Sequence, residues 1–184
     1  TDYPHQLSGG MRQRVMIGLG LVLNASLIIA DEATTSLDVI VEAKLVDQLR
    51  EIRDEFGVTI LLITHNIALV AEIADRVAVM YAGKIVEIGE TDQIFSAPLH
   101  PYTEALMSAV AVPDPTQRES RQRIVLEGEI PSPRNPPPGC PFHPRCRYRQ
   151  DRCTIEPPIL RPTSDASHLT ACHFSEMVGK LDPA

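Results

Sequence analysis

The chain has 184 residues, 43% of them hydrophobic and 22% charged, with a net charge of −7, a globular balance that allows one ordinary core and a small appendage. No apolar run approaches the ~18 residues of a membrane span, and because Thr1-Asp2-Tyr3-Pro4 opens directly into polar sequence no signal peptide is expected. The acidic balance argues against nonspecific nucleic-acid binding. Any membrane role is therefore expected to be peripheral, through a partner.

Charge is unevenly placed. Residues 1–112 carry 7 Lys+Arg against 15 Asp+Glu, whereas residues 113–184 carry 10 against 9. Two differently built regions are expected, parting at 112/113.

Taken in order, His5-Gln6-Leu7-Ser8-Gly9-Gly10 reads as a loop entering a helix. Ser8 is a good N-cap, and Met11 to Leu23 carries Val15, Leu19 and Leu23 on one stripe. Ser26 to Ala30 is a short apolar run ending at two carboxylates, the pattern of a strand buried on both faces. Asp38 caps a long amphipathic helix with apolar residues at Val41, Leu45, Leu49, Ile52 and Phe56, and Gly57 stops it. Val58 to Thr64 is a second buried strand. A short helix from about Asn66 to Ala74 follows, then strands near Arg76–Tyr81 and Lys84–Ile88 about an Ala82-Gly83 turn. Strand–helix alternation with apolar strands predicts a parallel α/β sheet with its functional loops at the strands' C-terminal ends. Thr91–Ser96 and Tyr102–Val110 read as two surface helices. Beyond Val112 the character changes: ten of the 16 prolines lie between Pro131 and Pro162, which excludes long helices there. Such a loop-rich unit is expected to need a staple.

Three constellations could carry chemistry. In Leu7-Ser8-Gly9-Gly10-Met11-Arg12-Gln13-Arg14, adjacent glycines let backbone N–H groups approach an anion at a helix N-terminus; the plainer reading is a common cap. In Leu27-Ile28-Ile29-Ala30-Asp31-Glu32, two carboxylates end an apolar strand. A magnesium ion and a water to be deprotonated would explain them, and so would simple solvation. In Leu62-Ile63-Thr64-His65-Asn66, a histidine at the next strand's end could reach a phosphate oxygen or serve as a polar cap.

In this order and at these separations, the segments resemble the ATP-binding-cassette (ABC) ATPases. Signature LSGG loop, Walker B strand with terminal glutamate, D-loop and switch histidine all occur, over residues 1 to about 90. Tyr3-Pro4-His5-Gln6-Leu7-Ser8-Gly9-Gly10-Met11-Arg12-Gln13-Arg14-Val15-Met16 and Ala71-Glu72-Ile73-Ala74-Asp75-Arg76-Val77-Ala78-Val79-Met80-Tyr81-Ala82-Gly83 resemble the dipeptide, oligopeptide and nickel importer branch. His100-Pro101-Tyr102-Thr103 and the cysteine-containing tail resemble that branch's C-terminal extension.

The resemblance implies roles. Ser8, Gly9 and Gly10 would contact the γ-phosphate of an ATP held by an opposing subunit. Asp31 would hold Mg²⁺ through water, Glu32 would be the general base, His65 the switch at the γ-phosphate, and Asp38 a D-loop residue at the dimer interface. Ala33 stands where the family usually has Pro, and Asn66 where it usually has Asp. No G-x-x-x-x-G-K-[ST] phosphate loop and no Q-loop segment occur within these 184 residues. The expectation is a fragment or truncated gene product, inactive alone.

The four cysteines, Cys140, Cys146, Cys153 and Cys172, all lie in the second region. Their spacing is not a paired C-x-x-C zinc pattern, although zinc with His143, His168 or His173 in place of one thiol stays open, as do free thiols or a disulfide. By resemblance to tail-bearing members of the branch, the four would ligate a [4Fe-4S] cluster, with Arg145, Arg147, Arg149 and Arg152 offsetting its charge.

The expected fold is α/β: the C-terminal part of a P-loop nucleotide-binding domain (1–112) with an irregular Pro- and Cys-rich extension (113–184). The function implied is ATP hydrolysis coupled to import of di- or oligopeptides, with nickel a close second. Partners would be a second ATPase subunit, permease subunits and, indirectly, a solute-binding protein, at the cytoplasmic membrane face and without nucleic acid. A non-transport ATPase of the superfamily and a nonenzymatic metal-binding module are the alternatives.

Overall fold

The computed structural model describes residues 3–22, 25–33, 39–110, 123–132 and 134–180, in two units that part between Ile73 and Ala74. In the first, Ser8 opens helix α1 (Gly9–Val22): its Oγ accepts the Met11 amide at 3.3 Å and its carbonyl the Arg12 amide at 3.0 Å. Strand β1 (Leu27–Asp31) pairs in parallel with β2 (Thr59–Ile63), Leu27 opposite Thr59 and Asp31 opposite Ile63. Between them, α2 (Val39–Phe56) buries Leu45, Val46 and Leu49. Each such side chain contributes about 1.5–3 kcal/mol. Leu69 of α3 (Ile67–Ile73) and Val58 are buried in the same unit.

Two expectations for this unit need correction. Leu27, Ile29, Leu61 and Ile63 are exposed, so β1 and β2 are not buried on both faces. Strand residues alternate sides, and among the described residues this sheet has two strands, which leaves one face bare. Val15 and Leu19 of the α1 stripe are likewise exposed; Leu23 lies outside the described residues.

The second unit is antiparallel, so among the described residues the parallel pairing predicted from strand–helix alternation is that of β1 with β2. β3 (Arg76–Tyr81) and β4 (Lys84–Glu90) form a hairpin, followed by helices α4 (Thr91–Ser96) and α5 (Pro101–Ser108). After α6 (Asp151–Ile155), the short β5 (Arg161–Pro162) and β6 (Leu169–Thr170) complete a sheet of order β3-β4-β6-β5. β6 pairs with β4 across the expected 112/113 boundary: Glu87 and Ile88 ladder with Thr170 and Leu169. The proline-rich stretch therefore folds onto the hairpin. Phe142, 1% exposed, packs with Val79, Tyr81, Val86, Ile94, Cys140 and Cys153. Its ring meets Tyr81 edge-on at 5.1 Å, a geometry favoured by the ring quadrupoles. Among the described residues, no helix is long and apolar enough to cross a membrane.

A buried carboxylate joins these pieces. Glu87, fully buried on β4, accepts the backbone amides of Leu99 (2.7 Å) and His100 (3.0 Å) and contacts His168 Nε2 at 2.7 Å. Gly89 makes room for that imidazole, since a Cβ there would meet His168 Cδ2 at 3.0 Å. His100 in turn caps α5 by accepting the Tyr102 amide on Nδ1 at 3.1 Å. With Pro101, Thr103, Ala105 and Met107 all buried, α5 is no surface helix.

Burial lowers the His100 pKa from 6.5 to about 3. The unfolded chain protonates this group first, so its contribution to stability is complete above 6.5 and is lost as pH falls from 6.5 toward 3. Between pH 7 and 5 this one group removes about 2 kcal/mol, at about 1.4 kcal/mol per pH unit. His100→Asn retains a capping oxygen without the titration, so its urea midpoint should fall less steeply than that of wild type over this range. Parallel pH profiles would reject the assignment.

Candidate functional site

At the tips of β1 and β2 the structure brings together two of the residues singled out in the sequence. Asp31 ends β1, and Glu32 extends the ladder by donating its amide to Ile63 O at 2.8 Å. Glu32 has φ 46°, left-handed backbone that costs a non-glycine residue about 1–2 kcal/mol. Such strain clusters at sites where side-chain direction matters. His65, just beyond β2, places Nδ1 3.7 Å from Glu32 Oε1, an ion-pair distance when the imidazole is protonated. Both side chains are exposed, His65 at 76% and Glu32 at 55%, so a ligand could reach them.

Ser8, Gly9 and Gly10 form the N-terminus of α1, where the first amides of a helix lack intrahelical acceptors. A Cβ built on Gly9 meets nothing within 4 Å, and one on Gly10 meets only Val41 Cγ1 at 3.6 Å. Among the described residues no crowding demands glycine at either position; the bare backbone suits close approach by an external group. Asp38 lies outside the described residues.

In the second unit, Cys140, Cys146, Cys153 and Cys172 line one cleft with His143, His173 and Phe174. The Cys140 amide donates to Cys153 O at 2.8 Å, and the Cys146 amide to His143 O at 3.3 Å, closing the loop around the 3₁₀ turn His143–Arg145. All four thiols are free. Burial pushes Cys146 up to about 12 and Cys172 up to about 11, and raises Cys140 as well. Without a cation in the cleft these groups are neutral thiols.

Two family models match the chain: "ABC transporter" over residues 1–35 and "Oligopeptide/dipeptide transporter, C-terminal region" over residues 86–153. Over 173 residues, 94% of the chain, it is 50% identical to the probable peptide ABC transporter ATP-binding protein y4tS of Sinorhizobium fredii. It is 46% identical over 94% of its length to the oligopeptide transport ATP-binding protein AppF of Bacillus subtilis. With the dipeptide transport ATP-binding protein DppF of Haemophilus influenzae the figures are 44% and 94%. Over nearly its whole length the chain is similar to ATP-binding proteins of peptide-type ABC transporters. It spans about half the length of these curated relatives, 48%, 52% and 52% respectively.

The match to the C-terminal-region model begins at Val86, inside β4, and ends at Cys153, so it covers both Glu87 and most of the cysteine cleft. The four thiols share a cleft, but among the described residues no three His, Cys, Asp or Glu side chains stand close enough to hold a metal ion. Three of the four arginines expected as counter-charges are engaged elsewhere. Arg147 pairs with Glu104 at 2.8 Å, Arg152 with Glu156 at 2.6 Å, and Arg145 donates to the carbonyls of Glu127 and Leu126. His168 faces Glu87 rather than the thiols, whereas His143 and His173 line the cleft.

Sequence reasoning passed over Glu42, Glu87 and Gly139. An acidic residue near the start of a helix reads as dipole complement, and one inside a strand as solvent-facing. The partners that give these residues meaning lie 12 or more positions away.

Proposed function

We propose that these residues act in an ATP-hydrolysing subunit that energises import of di- or oligopeptides. The observation that carries the reading is the approach of His65 to Glu32 at the ends of two parallel strands. The relatives' names, which specify peptide, oligopeptide and dipeptide transport, support the substrate class. Glu32 takes the proton of the water that attacks the γ-phosphate, and its ladder bond to Ile63 O fixes the backbone from which the carboxylate projects. His65 holds the γ-phosphate and Glu32 in one frame. Asp31, an exposed carboxylate at the strand tip, has the oxygen chemistry that Mg²⁺ prefers. The ion, once bound, offsets phosphate charge. Ser8, Gly9 and Gly10 offer α1's amides to the nucleotide of a second ATPase subunit, and Asp38 sits at that interface. Permease subunits place the assembly at the cytoplasmic membrane face, with a solute-binding protein acting through them. The test is uptake of labelled di- and oligopeptides by vesicles carrying the assembled transporter. ATP-dependent peptide uptake that vanishes with Glu32→Gln is expected, and nickel uptake alone would replace the peptide assignment.

The cysteine cleft we assign to a [4Fe-4S] cluster that staples the extension. Four thiols on one cleft, with no fifth cysteine in the chain, support that stoichiometry. Ligation requires the thiols to close in from their present positions, and Cys140, Cys146 and Cys172 to shed protons that burial favours. Anaerobically purified protein should be brown, with about four irons per chain and broad absorption near roughly 400 nm. Any Cys→Ser change should bleach it. Colourless protein with one zinc would move the assignment to three thiols plus His143 or His173.

A further inference from the structure

His65 is exposed, so packing does not hold its imbidazole in place; the loop that carries it must. Asn66 anchors that loop in three ways. Its amide donates to Thr64 Oγ1 at 3.0 Å, and its side-chain Oδ1 accepts the Leu69 amide at 3.3 Å, which caps α3. The remaining end, Nδ2, donates to both carboxylate oxygens of Glu42 on α2, at 3.1 and 3.2 Å. The orientation of the amide is fixed by these partners, because only oxygen can accept from Leu69 and only nitrogen can donate to a carboxylate. At the other end of α3, Arg50 of α2 holds Glu72 through its carbonyl at 2.7 Å and its carboxylate at 3.2 Å. Two clasps thus bind α2 and α3 side by side, and the Glu42 clasp lies immediately beside His65.

We propose that Glu42 is a positioning residue for hydrolysis, acting through Asn66 to hold His65 beside Glu32. This rests on the reading of Glu32 and His65 given above. The bonds from Glu42 run to Asn66, and its role is to fix the backbone from which the imidazole projects. An aspartate at 66 could still cap α3 but would set a second carboxylate against Glu42, whereas asparagine does both jobs.

The pair can be tested in a subunit of the relatives' length carrying these residues, by ATPase kinetics and by hydrogen exchange of residues 64–70. Glu42→Ala and Asn66→Asp should each lower kcat about tenfold, the order expected when a reacting group is displaced by a fraction of an ångström. ATP affinity should change less than about twofold, since neither side chain is placed at the nucleotide. Exchange at Leu69 should accelerate in Asn66→Asp, which loses its donor to α2. In Asn66→Asp/Glu42→Gln the glutamine amide donates to the new carboxylate, so kcat should return to within about threefold of wild type, with slow exchange restored. Fold losses that simply multiply in the double variant, or full activity in Glu42→Ala, would overturn the proposal. Glu32→Gln in the same assay separates the layers. If it abolishes turnover while the Glu42 series is silent, only the positioning role fails; if it hydrolyses normally, the underlying site reading fails.

Discussion

Glu32→Gln should lower ATP hydrolysis by about 10²-fold or more, the usual worth of a positioned general base, while leaving ATP binding largely intact. The variant removes the proton acceptor but keeps the volume and the left-handed backbone that the Ile63 hydrogen bond enforces. Binding energy without turnover should trap a closed dimer, with ATP between the Ser8-Gly9-Gly10 loop of one subunit and the phosphate loop of the other. Single-turnover kinetics and size-exclusion chromatography in Mg-ATP would measure both effects. Turnover at the wild-type rate would reassign the base, and His65, 3.7 Å away, would be the next group to replace.

Gly139→Ala should destabilise the second unit by about 2–5 kcal/mol, combining left-handed backbone strain with overpacking. The residue has φ 70°, and a Cβ there would lie 2.4 Å from Cys153 O, 2.7 Å from Thr154 C and 2.8 Å from Ile155 N. All three atoms are backbone, so no side-chain rotation relieves the clash. Either the Cys140 amide leaves Cys153 O or α6 shifts as a body. Both would open the cleft, so Cys140 and Cys153, now buried, should react faster with a thiol reagent. Gly179→Ala provides the control: its φ of 77° carries the same backbone strain, but nothing lies within 4 Å of its Cβ. A Gly139→Ala loss no larger than that of Gly179→Ala, in urea melts of the whole chain, would show that the close approach is dispensable.

Local patterning determined much of this protein. The helical spacing from Val41 to Phe56 yields α2, the apolar run before Thr64 yields β2, and the carboxylate pair and histidine stand at strand ends as read. These are short-range consequences of 3.6- and two-residue periods and of N-cap chemistry, and they fixed where the candidate site residues sit. Only the tertiary structure decided which surfaces meet. The tail's Leu169 and Thr170 add a strand to β4, and Phe142 supplies the hairpin with its central ring. Glu87 is buried because His168 and two loop amides converge on it across up to 81 positions. Asn66 likewise finds Glu42 across 24. Periodicity records which side of an element is apolar but not what covers it, so the bare face of β1 and β2 and the core beneath the prolines were both misjudged. Partner choice over such separations depends on the sum of packing and hydrogen bonds across the whole unit, and no window of sequence contains that sum.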